Sequence, residues 1–145
     1  MKRLSQLAPR IFIALQIAVL IFHGMILLKV IPYTIAWGGK LESDAAMYRY
    51  EAVAILMNAA LLSVLLIKAK AGNANERFMN SILWVFVVIF ILNTIGNLMA
   101  KTTAEKLLSI ISGISALLAL MVIRGGQKAG PKLKDAHPNE YLEEP

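Results

Sequence analysis

Four stretches of the chain carry no charged residue: positions 11–28, 52–67, 78–100 and 107–123. A helix that crosses a bilayer needs roughly 20 mostly apolar residues, with a range of ~17–25. The first and third stretches meet that length outright. The second reaches it by running back through Tyr50 and Met47, with Arg49 and Glu51 at the interface, and the fourth by running back to Thr103. An amphipathic helix of a soluble protein would place polar residues on every turn. The run Leu83–Leu92, LWVFVVIFIL, has none. The pattern predicts an all-α integral membrane protein with four spanning helices over about 10–31, 45–67, 77–100 and 103–123.

Local signals set the expected ends. Pro32 follows the first apolar run and resists helical continuation. Ser43 or Asp44 caps the second helix, and Gly72 ends it. Asn73-Ala-Asn-Glu76 has the spacing of a cap for the third helix, and Thr102-Thr-Ala-Glu105 that of a capping box for the fourth. Apart from the segment between the first two helices the connections are short. Sequential helices should therefore be antiparallel neighbours in an up-down-up-down bundle. Residues 1–124 form this transmembrane domain. Residues 125–145, GGQKAGPKLKDAHPNEYLEEP, lack apolar periodicity and read as a disordered cytoplasmic tail. The basic start Met1-Lys-Arg3 precedes an apolar run too long for a signal-peptide core, with no small-residue cleavage site after it, so the first segment reads as a retained anchor.

Composition agrees with this class. The chain has 145 residues, 58% hydrophobic and 17% charged, against ~45–50% and ~25% in ordinary soluble domains. Ten of the 15 Lys and Arg flank the ends that hold the two termini and the second connection; five lie on the other side. By the positive-inside bias, both termini are expected in the cytoplasm and the protein in the inner (plasma) membrane. The net charge of +6 is then a topology signal and an attraction to anionic membrane lipids. No basic face interleaves with base-stacking aromatics, so nucleic acid is not expected. Cysteine is absent, which removes disulfides and thiolate chemistry. The spans hold a single His, and GxxxxGK[ST], HExxH and GxGxxG are missing, so neither a metal nor a cofactor is implied.

Polar residues inside the apolar segments carry the functional information. At ~1.5 Å per residue, His23 lies roughly 12 Å below the outer end of the first helix. Asn58 and Asn93 lie roughly 10 Å below theirs, with Asn97 nearer the surface. Ser109 and Ser112 fall at similar depths, whereas the inner half holds Gln16 and Ser63. Stripes of Asn93, Gly96 and Asn97, of Ser109, Ser112 and Gly113, and of Glu51, Ala54 and Asn58 are expected to point inward, since lipid penalises them. Two readings follow. In one, the stripes pack and hydrogen-bond helices together, and the protein is a structural or accessory element that recruits a partner. In the other, His23, Glu51, Asn58, Asn93 and Asn97 line a polar cavity open to the extracytoplasmic side. That cavity would bind or transport a lipid-like or small amphipathic molecule, with a homo-oligomer or a protein partner completing a pathway. The long outer segment, with Tyr33, Trp37, Tyr48 and Tyr50, suits an interfacial aromatic belt or a lid over the bundle mouth.

The segment Ile31-Pro-Tyr…Ala36-Trp-Gly-Gly-Lys-Leu…Met47…Glu51, with Leu92-Asn-Thr-Ile-Gly-Asn97-Leu-Met-Ala-Lys101, resembles a group of short uncharacterised bacterial membrane proteins with four helices. That resemblance covers about residues 10–123 and implies no activity. In architecture and residue types the chain is also similar to four-helix membrane proteins of the sterol-isomerase and sigma-2-receptor type. That similarity implies an intramembrane lipid pocket lined by acidic and aromatic residues, and a lipid isomerase with Glu51 or His23 as acid/base. It also implies a second acid in the pocket, and that acid is missing from the sequence pattern.

Overall fold

The computed structural model describes residues 2–33, 41, 43–71, 75–100 and 103–127. It consists of four helices: α1 Lys2–Leu27, α2 Asp44–Ala71, α3 Glu76–Leu98 and α4 Thr103–Gln127. Each is long and apolar enough to cross a membrane, over Leu7–Leu27, Asp44–Lys70, Glu76–Leu98 and Thr103–Gly125. The outward faces are largely apolar, with Ile17, Ile21, Val53, Leu56, Val88, Leu92, Ile114 and Leu117 exposed. Such surfaces suit a hydrocarbon solvent and would be an aggregation liability in water.

The helix ends differ from expectation in instructive ways. α1 begins at Lys2 rather than near position 10, because charged residues end a membrane span without ending a helix. Pro9 lies within it and withholds one backbone donor. α1 stops at Leu27, before Pro32. Lys29 adopts φ 58°, its N–H donates to the Ile26 carbonyl at 2.8 Å, and the Val30 N–H donates to the Met25 carbonyl at 2.9 Å. This is a Schellman ending with lysine in the left-handed position that usually belongs to glycine. Ser43 caps α2 as expected, its Oγ accepting from the Ala46 N–H at 3.2 Å. At α3 the capping residue is Asn75, with φ 57° and no side-chain cap bond; Asn73, whose spacing to Glu76 suggested a cap, lies outside the described residues. α4 continues through Gly125 and Gly126 to Gln127, past the expected end at 123. Gly72, Thr102, Trp37 with most of the outer connection, and the tail from 128 lie outside the described residues.

α3 packs most closely on α4, and α1 on α2 and on α4; the contact of α2 with α3 is slighter. The main core joins Ala8 and Phe12 of α1, Leu61 and Leu65 of α2, Leu83, Phe86 and Phe90 of α3, and Ala116, Ala119 and Val122 of α4. Phe90 stands edge-on to Phe12 at 6.2 Å and lies 6.3 Å from Phe86. A second, smaller cluster of Ile26, Leu41 and Met47 closes the other end of the α1–α2 pair. Between these two apolar clusters lies the polar part of the interior.

Candidate functional site

Among the described residues, the shielded polar side chains are Gln16, Glu51, Glu105, Ser109 and Ser115. On α1 they lie beyond Phe12, on α2 before Leu61, and on α4 before Ala116. These five side chains therefore lie to one side of the main apolar core.

At its centre His23 Nδ1 and Glu51 Oε2 are 2.7 Å apart. The two groups are within hydrogen-bonding distance, with the His23 tautomer setting which of them donates. The glutamate side chain is 0% exposed and the histidine 17%. The edge of the His23 ring leans on Phe22, with centroids 5.8 Å apart. Burying a carboxylate without a donor is costly, so this bond is what lets Glu51 face inward.

Glu105 is 2% exposed and makes a further interaction. It sits on the first turn of α4, four residues of connection beyond Leu98. The expected box partner Thr102 is not described, and Glu105 turns into the protein rather than lying at the surface. The sequence reading missed it. The signal that would have found it is its helical spacing with Ser109 and Ala116, which put it on the buried face of α4.

One heptad below His23 and Glu51 lie Gln16 on α1 and Asn58 on α2, about 10 Å deeper at 1.5 Å per residue. The two are therefore level, close to the middle of their spans Leu7–Leu27 and Asp44–Lys70. Asn58 is half-buried, and its Nδ2 donates to the carbonyl of Ala54 at 2.8 Å within its own helix. The hydroxyls do likewise: Thr94 to Phe90 at 2.7 Å, Ser109 to Lys106 at 2.5 Å, Ser112 to Leu108 at 3.0 Å and Ser115 to Ile111 at 2.9 Å. Gln16 differs. It is 0% exposed, and among the described residues neither its Nε2 nor its Oε1 has a hydrogen-bond partner. An amide in that condition costs on the order of 2–7 kcal/mol relative to water.

The α3 stripe departs from expectation. Asn93 is exposed, beside Ile91 and Leu92, and Asn97 is half-buried. A methyl group added at Gly96 would meet nothing within 4 Å, so this glycine is not a packing seam; Gly113 of α4 would meet Thr94 at 3.9 Å. The physical reason is that α3 buries the face carrying Met79, Leu83, Phe86 and Phe90, and this burial stops at Phe90. Of the five expected site residues, the structure joins His23 to Glu51, sets Asn58 below them and turns Asn93 outward.

At the opposite end Lys68 Nζ donates to Asn80 Oδ1 at 2.9 Å and lies 3.6 Å from Glu76, tying the end of α2 to the start of α3. Among the described residues, no three of His, Cys, Asp and Glu gather closely enough to hold a metal ion.

These features define a class: an all-α chain of four helices of membrane-spanning length and apolarity, with a buried acid–histidine pair in one half. No family model, curated protein or solved structure matches the chain.

Proposed function

We propose that this chain is a multi-pass protein of a bacterial inner membrane that binds a lipid-like or small amphipathic molecule in the polar half of its bundle. The observation that carries the reading is the fully buried Glu51 carboxylate held by His23. Ionisable groups inside membrane helices are expensive and mark sites of function. Chain order supports an antiparallel up-down-up-down arrangement. Ile26 packs with Met47, while Ala8 and Phe12 share a core with Leu61 and Leu65. The charge bias then puts both termini in the cytoplasm and the polar half towards the outside.

The test uses the absence of native cysteine. Single cysteines at 23, 58 and 109, with controls at the exposed positions 85 and 88, are exposed to a membrane-impermeant thiol reagent from outside the cell. Labelling of the first set but not the controls is expected, with protection by an amphiphile that binds. Labelling at none of 23, 58 and 109, or only from the cytoplasmic side, overturns the reading.

A second reading, a small lipid isomerase, gains from Glu105. Two buried carboxylates and a histidine in one half of the bundle are the groups that proton abstraction and return require. In that case Glu51→Gln and His23→Gln abolish turnover while amphiphile binding persists.

A further inference from the structure

Gln16 is the one shielded side chain of the polar half, among the described residues, whose hydrogen-bonding capacity is wholly unspent. Its neighbours in depth are already committed: Asn58 bonds its own helix at Ala54, and Thr94 bonds its own at Phe90. The amide presents a donor group, Nε2H2, and an acceptor, Oε1, side by side in a plane. Below it the interior is sealed by Phe12, Phe86, Phe90 and Leu61. Above it, about 10 Å away, stand His23 and Glu51. Sideways, of the helices in close contact, α2 and α3 meet least. Buried positions on α2 skip from Glu51 to Leu61, and those on α3 end at Phe90. An alkyl chain suits such a seam.

We propose that Gln16 is the docking point for the protonated carboxyl end of an acyl chain, which enters from the lipid between α2 and α3. A neutral carboxylic acid has an O–H donor and a carbonyl acceptor on one carbon. It pairs with a primary amide through two parallel hydrogen bonds: O–H to Oε1 and Nε2–H to the carbonyl oxygen. An ester lacks the donor, and a carboxylate is the form an apolar interior excludes. This assignment rests on the amphiphile-binding reading and gives that ligand a chemical class.

The experiment uses the full chain in nanodiscs, with palmitic acid carrying 13C at the carboxyl carbon, and palmitamide and methyl palmitate as comparators. Binding is followed by the carboxyl 13C shift and by competition. The acid and the amide are expected to bind at least tenfold more tightly than the ester. Gln16→Met, which keeps the side-chain length without the amide, should bring the acid down to the ester's affinity. If the ester binds as well as the acid, or Gln16→Met leaves acid binding unchanged, the assignment is overturned and a bound water is the better account of Gln16. The comparison of acid with ester on the native chain decides the matter even if the variant does not fold. If amphiphiles bind in a manner that depends on Glu51 but not on Gln16, this inference fails and the broader reading stands. If none binds, both fail.

Discussion

His23 Nδ1 reaches Glu51 Oε2 at 2.7 Å across the α1–α2 interface, with the carboxylate sealed from solvent. Removing the ring strips a buried carboxyl group of a hydrogen-bond partner, which costs about 1–3 kcal/mol and more when that group is charged. His23→Ala should destabilise the protein by at least that amount, measured by reversible unfolding in mixed micelles. Replacing the pair together, as His23→Leu with Glu51→Met, should recover part of the loss, since the buried carboxyl group is removed along with the ring that bonds it. Strict additivity of the two single changes would show that the bond contributes no coupling.

Gln16→Met should be neutral or stabilising when no amphiphile is present. The native amide is shielded and without a partner among the described residues. Exchanging it for an apolar side chain of similar shape removes a desolvation cost and keeps the packing above Phe12. A loss of more than about 1 kcal/mol would show that the amide has a partner in the folded protein.

Lys29 holds the left-handed position at the end of α1, where a Cβ costs roughly 1–2 kcal/mol. Lys29→Gly should raise stability towards that figure. The exposed bridge it gives up, 2.5 Å to Asp44, is solvated on both sides and contributes little. Hydrogen bonding to Asp44 raises the Lys29 pKa above its usual 10.5, outweighing slight desolvation. A raised lysine keeps its contribution at every pH below the unfolded value and loses it only as pH climbs through the raised one. The difference between the native protein and Lys29→Met should therefore be flat across pH 7–9, and a slope there would contradict the assignment.

The four spans were legible because charge-free runs of membrane length leave little choice of structure. The burial of Glu51, though not its bond to His23, was also within reach, since both residues fall on stripes at helical spacing. Asn93 was not. Helical periodicity says which residues share a face, and it is silent on which face a helix turns to its neighbours. On α3 the aromatic face of Phe86 and Phe90 took the interior and left Asn93 outside. Glu105 was hidden for another reason. An acid three residues after a threonine has the spacing of a cap, and local grammar masked a tertiary role. Gln16 was set aside because depth was counted from each helix end, and α1 ends at Leu27 rather than Ile31. Counted from the His23–Glu51 contact, it is level with Asn58.

Lys68 ties the last part of α2 to the first turns of α3 through Asn80 and Glu76, two helices whose contact is otherwise slight. Lys68→Met keeps the apolar stem and deletes the donor. The expected loss is about 1–2 kcal/mol, that of a partly shielded charge-assisted bond. Asn80→Ala should give a similar loss, and the double variant little more than either, which a double-mutant cycle reads directly. Full additivity would place the two side chains in separate environments.

Gly113 and Gly96 look alike in the sequence and should respond alike to alanine for different reasons. Each is helical, and alanine improves on glycine by about 1 kcal/mol within a helix. At Gly113 the new methyl would touch Thr94 at 3.9 Å, ordinary contact; at Gly96 it would meet nothing within 4 Å. Both Gly→Ala variants should therefore be stabilised, without strain. Larger side chains separate the sites. Gly96→Leu should be accepted on the exposed side of α3, because the burial of that helix ends at Phe90. Gly113→Leu must push α4 away from α3, and overpacking of that kind costs about 1–3 kcal/mol. Equal tolerance of leucine at the two positions would show that α3 and α4 do not pack at Thr94, whereas intolerance at Gly96 would place a neighbour on a face that is open here.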